Sequence, residues 1–364
     1  MLVISRRQFF EKTGASAGAM ALLAAKVATL KANPLGIPIG SQTYPHAARI
    51  KAGEFAQLMK EMKAIGIDQV ELCDPWNYVS QGFDKLLDGK TTKKMLDDAG
   101  VKAISCHVGM KIYRTQHKDV LNWAHDVGLT QLSTADLGGT TKDGKTRMAD
   151  GVTTEAWIKE AADEYNAIAK VSKAAGLLHV LHNEGFNNSH LPDGRSTYPI
   201  LIEHLDPALV GMQFQMSSMT SVGSPIAFFT MFPGRIWSAH MQGVDGTQGV
   251  RAQVVGTLPN KGGGRRGGGA PAAAAGAAGG GAAMGGTAAA GGGRAASGAA
   301  GATGAAGAAQ GGGRGRGLSV GEDTIDWPKV FEAAKIGGLK NYFIEQTWDL
   351  TVKSAAYLKT LDVK

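Results

Sequence analysis

The sequence predicts an α/β protein built as a closed (β/α)8 barrel. Three observations carry this expectation. Eight short apolar runs alternate with longer amphipathic segments from Leu35 to the C-terminus. Such alternation implies parallel strands joined by right-handed crossovers, and eight repeats in roughly 300 residues match a barrel. Several of the runs end abruptly in polar or ionisable side chains, and the first is followed by QTYPHA, not by a glycine-rich phosphate loop. A doubly wound open sheet would favour such a loop and a single crevice where strand order reverses.

The elements follow in order. Residues 37–44 form strand one. Phe55, Leu58, Met59, Met62 and Ile65 recur at helical spacing. Strand two (67–73) carries Glu71, a helix spans 85–99, and strand three (101–108) carries His107. A helix at 120–127 precedes strand four (129–137). The long helix 154–175 is closed by Gly176 as a C-cap. Strand five reads LLHVLHNE, ending in His182, Asn183 and Glu184. A short helix (200–205) leads to strand six (210–216) with Gln215, and a helix at 226–232 stops at Pro233-Gly234. Strand seven (235–241) carries His240. A helix at 326–334, strand eight (339–346) with Glu345, and a closing helix (350–361) complete the chain.

Two segments stand outside this pattern. Residues 4–10 read ISRRQFF before the short small-residue stretch 14–25, the pattern of a twin-arginine export signal. The expectation is a signal over 1–33, a partnership with the twin-arginine export machinery, and a periplasmic or otherwise exported protein. The mature barrel would span 34–364. Residues 261–317, almost entirely Gly and Ala with scattered Arg, read as a disordered insertion after strand seven. It has too little apolar surface to offset its ordering entropy. A basic tether for acidic polymers is the functional alternative to a tolerated loop expansion.

The formal charge of +7 comes from these segments. Six basic residues lie in the insertion and a net four at the N-terminus, so the remainder is about −3. That excludes a nucleic-acid-binding core. Cys73 and Cys106, near the ends of neighbouring strands, read as buried thiols, not as a disulfide framework.

In a barrel, Glu71, His107, His182, Glu184, Gln215, His240 and Glu345 converge at the C-terminal mouth. A buried strand does not end in a carboxylate or imidazole unless something balances its desolvation. Carboxylates, imidazole and an amide oxygen together suit a divalent cation such as Mn, Mg, Co or Zn. A cation chelating a carbonyl and its neighbouring hydroxyl stabilises an enediolate, while flanking groups move the proton beside the carbonyl. Glu184 and Glu345 are the expected acid–base pair, assisted by His107. Glu71 and His107 are expected on substrate hydroxyls, with His182 and Asn183 beside them. Trp76 and Trp348 are candidates for stacking on a sugar face.

These residues resemble the sugar phosphate isomerase/epimerase family, the xylose isomerase-like TIM barrels. The resemblance covers about Ile37 to Leu361 apart from the insertion. Its most specific block is VGEDTIDWPKVFEAAKIGGLKNYFIEQ, similar to a family pattern of a G-x-G-x-I-D-[FW] segment, a helix, and a strand ending in Glu-Gln. EHLDPALVGMQFQM and PGRIWSAHMQ resemble the entries to strands six and seven. The resemblance implies cation ligands at His240 and Glu345, with Gln215 standing where Asp is usual. Glu184 replaces a second His, Asn187 replaces a later Glu, and MQG follows His240 where relatives carry Lys-Asp. The expected cation set is therefore Glu184, Gln215, His240 and Glu345. The implied activity is sugar isomerisation or epimerisation on a small-molecule carbohydrate. Elimination or hydrolysis of a keto-sugar glycoside, a non-catalytic sugar-binding barrel, and a surface protein acting through its Gly/Arg loop are the competing readings. A homo-oligomer is left open.

Overall fold

The structure, a computed structural model, describes residues 33–135, 151–183, 189–219, 224–244 and 317–364. The expected signal peptide, Glu184, Asn187 and the insertion up to residue 316 lie outside these residues. The chain separates into two units, residues 1–263 with 316–364 and residues 264–315. Only the first is described.

Ten strands are described: β1 (Gly40–Gln42), β2 (Gln69–Cys73), β3 (Lys102–Val108), β4 (Gln131–Thr134), β5 (Gly151–Val152), β6 (Leu178–His182), β7 (Ser189–His190), β8 (Val210–Gln215), β9 (Ile236–Met241) and β10 (Asn341–Ile344). Eight of them close a barrel in the order β1-β10-β9-β8-β6-β4-β3-β2, every pair parallel. The eight correspond one for one to the expected strands. β5 and β7 form a separate two-stranded sheet, which the apolar pattern of the chain did not signal.

The helices are α1 (Ala47–Lys51), α2 (Phe55–Ala64), α3 (Gly89–Ala99), α4 (Met110–Val127), α5 (Glu155–Ala174), α6 (Thr197–His204), α7 (Met216–Met219), α8 (Pro225–Met231), α9 (Trp327–Gly337) and α10 (Trp348–Leu358). α2 buries Phe55, Leu58, Met59 and Met62, the stripe that predicted it. α5 starts on Thr154, whose hydroxyl accepts from Trp157 N. It is followed by Gly176 at φ +79°, a left-handed position that glycine occupies without strain. α9 starts on Asp326, with Pro328 in its first turn. The expected helix at 120–127 is the C-terminal half of α4. The helix extends back to Met110 through a break at Gln116 (φ −140°), which hid its period. Among the described residues no helix is long and apolar enough to cross a membrane.

Turns on the C-terminal side of the barrel are tied to the strand ends. Asp74, just past β2, accepts from the backbone N–H of Trp76 and Asn77 through Oδ1 and of Gly109 through Oδ2. Cys73 and Cys106 are free buried thiols, as expected.

Candidate active site

The strand ends bring the expected groups together. His107 on β3, His182 on β6 and His240 on β9 are all buried. Their ring centroids are 4.8 Å (107–182), 4.7 Å (182–240) and 5.1 Å (107–240) apart, the last pair near-parallel at 20°. Gln215 at the end of β8, Asn183 after β6 and Glu345 after β10 form the adjoining wall. Gln215 N donates to Asn183 Oδ1 at 2.6 Å, and Gln215 Nε2 donates to Glu345 Oε2 at 2.7 Å. Gln242, just past β9, holds the same carboxylate: its Nε2 donates to Glu345 Oε2 at 2.9 Å and to the Glu345 carbonyl at 3.1 Å. Ser217 N fixes the other end of the Gln242 amide at 3.0 Å.

Inside the barrel lies a closed circuit of side-chain hydrogen bonds. Ser105 Oγ donates to Glu71 Oε1 (2.7 Å) and accepts from Gln131 Nε2 (3.0 Å). Asn341 Nδ2 donates to Gln131 Oε1 (2.9 Å), and Asn341 Oδ1 accepts from Ser238 Oγ (2.6 Å). Gln213 Nε2 closes the loop by donating to Ser238 Oγ (3.0 Å) and Glu71 Oε1 (2.8 Å). Six strands thus contribute one polar side chain each, all of them buried. Satisfied in this way, a buried polar network specifies a unique interior instead of destabilising it.

The circuit grips the imidazoles above it. Glu71 Oε2 lies 2.6 Å from His240 Nε2 and 3.1 Å from His107 Nε2. His107 Nε2 is also 2.9 Å from Gln213 Oε1, which accepts from Ser133 Oγ at 2.8 Å. Burial alone would raise the Glu71 pKa, but the two imidazoles hold it well below the usual carboxylate range. Burial would lower the His240 pKa. Glu345 and Glu71, one at each ring nitrogen, overcome it and carry His240 up to about 10. His107 rises against its burial for the same reason, through Glu71. Glu345, though buried, is drawn down to about 2 by His240, with His182 and the Gln215 amide assisting.

Two donor sets for a cation share His240. The first is the imidazole trio, whose donor atoms all lie within 4.8 Å of one another. Bonds near 2.1 Å need ligand atoms roughly 3–3.5 Å apart, so this set would have to contract. The second is Gln215, His240 and Glu345. Gln215 Oε1 and His240 Nδ1 are buried and have no hydrogen-bond partner among the described residues. His240 Nδ1 lies 3.3 Å from Glu345 Oε2, and Gln215 is bonded to the same oxygen. A cation here would take up Gln215 Oε1 and, by displacing the proton that faces Glu345, His240 Nδ1, removing the cost of leaving buried polar atoms poorly paired.

Of the sequence-predicted site residues, His107, His182, Asn183, Gln215, His240 and Glu345 are brought to one place. Glu184 lies outside the described residues. Glu71 corrects an expectation. It is fully buried and its two oxygens are taken by four side chains, so it supports the site from below and has no free oxygen for a substrate hydroxyl. Trp76 is half-buried, and its ring packs edge-to-face on Trp123 of α4 at 6.0 Å. Trp348 packs edge-to-face on His46 and lies beneath the Arg49 guanidinium. Sequence reasoning missed Gln213 and Gln242. Gln213 had a signal, since it stands two residues before Gln215 and therefore on the same strand face. Ser105 before His107 and Ser238 before His240 repeat that spacing. Gln242 had none, because its partner Glu345 is remote in sequence.

The same barrel fold recurs among solved structures. Two crystal structures of a sugar phosphate isomerase/epimerase from Parabacteroides distasonis match it with TM-scores of 0.56. They are 15% and 17% identical, cover 90% of this chain, and are themselves covered over 96% and 100% of their length. A zinc-bound structure of the IOLI protein matches at a TM-score of 0.51, with 11% identity over 90% of this chain and 95% of that one. At these identities the likeness is one of fold. No protein-family model and no curated protein sequence matches the chain.

Proposed function

We propose that the chain is a metal-assisted enzyme of carbohydrates, an isomerase or epimerase that moves the proton beside a sugar carbonyl. The observation that carries this reading is the cluster of Gln215, His240 and Glu345, in which Gln215 Oε1 and His240 Nδ1 are buried without a hydrogen-bond partner among the described residues. These three groups would hold a divalent cation. When bound, such a cation polarises a carbonyl and its neighbouring hydroxyl and stabilises the enediolate charge.

The chain's own residues supply the rest. Gln215 and Gln242 hold the Glu345 carboxylate in one orientation. Asn183 Nδ2 is buried without a partner among the described residues and offers a donor to a substrate hydroxyl. Glu345, held by Gln215 and Gln242 and facing His240 Nδ1, serves as ligand and anchor. Proton removal is assigned to Glu184, the residue after Asn183. His107 has its Nε2 directed to Glu71 and Gln213, which leaves Nδ1 for the substrate. The fold likeness to a sugar phosphate isomerase/epimerase and to a zinc-bound barrel supports the reading. Export by the twin-arginine route is part of the proposal and favours an unphosphorylated sugar or sugar derivative.

The test is deuterium wash-in. Unphosphorylated aldoses, ketoses and keto-glycosides are incubated with the protein and Mn or Zn in heavy water. Deuterium at the carbon beside the carbonyl, lost in Glu184→Gln, is the expected result. Loss of the glycosidic substituent together with exchange identifies elimination. No exchange on any sugar, with no cation uptake by calorimetry, sinks the reading. Gln215, standing where the resemblance implies an Asp, and the absence of a Lys-Asp pair after His240 favour one competitor, a barrel that binds sugar without turnover. It predicts sugar binding with no exchange.

A further inference from the structure

We infer that Glu71 is the positioning residue of the site: one carboxylate oxygen keeps a proton on Nε2 of both His107 and His240, so that both rings present Nδ1 to the mouth. The inference rests on the cation reading for its consequence at His240, but its geometry stands apart from it.

The hydrogen-bond circuit determines the proton positions. Glu71 Oε1 accepts from Ser105 Oγ and Gln213 Nε2, which orients the Gln213 amide with its NH2 toward Glu71. Reversing that amide would set its oxygen against the carboxylate and its NH2 against Ser133 and His107. Gln213 Oε1 is therefore the acceptor facing His107 Nε2, and that nitrogen must be a donor. Glu71 Oε2, an acceptor only, faces the same atom and His240 Nε2, so His240 Nε2 is a donor too. What remains on His240 is Nδ1, the buried atom without a hydrogen-bond partner beside Glu345 and Gln215. A carboxylate behind a ligating imidazole fixes its tautomer, aims its ring and raises its basicity as a ligand. Here a single carboxylate does so for two imidazoles whose rings stack at 5.1 Å. The ligand and the substrate-facing imidazole are thereby aimed as one unit.

Two measurements test this, the first needing neither metal nor turnover. In metal-free protein labelled with 15N-histidine, His107 and His240 are expected to show exchange-protected protons bonded to Nε2, shifted downfield by the carboxylate. Nitrogens without a proton at either Nε2 overturn the inference. The second is calorimetric titration with zinc alone. Glu71→Gln is expected to weaken zinc binding by 10–100-fold at unchanged stoichiometry, and Glu71→Asp, which withdraws the oxygen from both rings, to weaken it as well. Equal zinc affinity in wild type and in folded Glu71→Gln overturns the inference. If wild type takes up no zinc, the cation reading fails, and the Nε2 protons alone decide the role of Glu71. The same measurement decides if neither variant folds.

Discussion

Gln215 donates its side-chain N–H to Glu345 Oε2 at 2.7 Å, an amide standing against a carboxylate on a neighbouring wall of the barrel mouth. The contact makes a two-sided prediction. Gln215→Asp removes the donor and sets two carboxylates together. Metal-free protein should melt at a lower temperature than wild type, because like charges in a buried site repel. The same variant should bind Mn or Mg more tightly by at least tenfold, since an anionic ligand replaces a neutral one. Melting curves with and without chelator check both arms, and a variant unchanged in either removes Gln215 from the ligand set.

Glu345→Gln tests the other member of the pair. It removes the carboxylate that faces His240 Nδ1 and accepts from Gln215 and Gln242. Zinc affinity should fall by more than the 10–100-fold typical of losing a group behind a ligand. Calorimetry measures the loss directly. Retained affinity would point to the imidazole trio as the cation site.

The pH dependence of stability contains a legible contribution from His179. This residue is fully buried on β6, between Thr134 Oγ1 at 3.0 Å and Ser172 Oγ at 3.2 Å. Burial pushes its pKa down to about 3. The folded state therefore holds it neutral while the unfolded chain takes up a proton below about 6.5. Its contribution is fully present above pH 6.5 and is lost as the pH falls toward 3. Between pH 6 and 4 the slope is about 1.4 kcal/mol per unit. His46, lowered to about 4 by burial and Arg49, acts in the same direction. Asp74, lifted to about 6 by burial, opposes them over part of that range. Denaturant titrations at several pH values should show a shallower acid limb in His179→Asn than in wild type. Parallel limbs would remove His179 from the account.

Gly243 and Leu318 pair across an antiparallel bridge, and Val244 N donates to Asp323 Oδ2 at 3.1 Å. Gln346 Nε2 donates to Leu318 O at 2.7 Å, next to Glu345. The described residues on either side of 245–316 are therefore held side by side. Replacing residues 245–316 with a short Gly-Ser linker should leave the melting temperature of the barrel within a few degrees, because the closure it replaces is already made. Gly243→Ala should be worse: a Cβ there would strike the carbonyl oxygens of Leu318 and Ser319, which are backbone and cannot give way. A loss of about 1–3 kcal/mol is expected by analogy with overpacking. Thermal melts compare the two.

The eight barrel strands and most of their helices were legible because each is a local pattern. The stripe of α2 and the Gly after α5 were both visible in the chain. α4 was half-missed because its break at Gln116 interrupts the period, and the β5–β7 sheet because two-residue strands carry no period at all. The convergence of His107, His182, Gln215, His240 and Glu345 was legible through one rule, that parallel barrel strands end at one mouth. The role of Glu71 was not. A polar strand residue can face the substrate or stand one layer beneath it.

By itself the sequence determined the barrel, the count and order of its strands, and several of the groups that meet at their C-terminal ends, among them His107, His182, Gln215, His240 and Glu345. Periodicity and strand endings are properties of the chain. Only the tertiary structure decided which of those groups support the others. The circuit from Glu71 through Ser105, Gln131, Asn341, Ser238 and Gln213 joins residues from six strands. Hydrogen bonds are directional and reach only about 3 Å. Whether Glu71 takes a substrate hydroxyl or two imidazoles is therefore settled by the depth and register at which barrel closure places it.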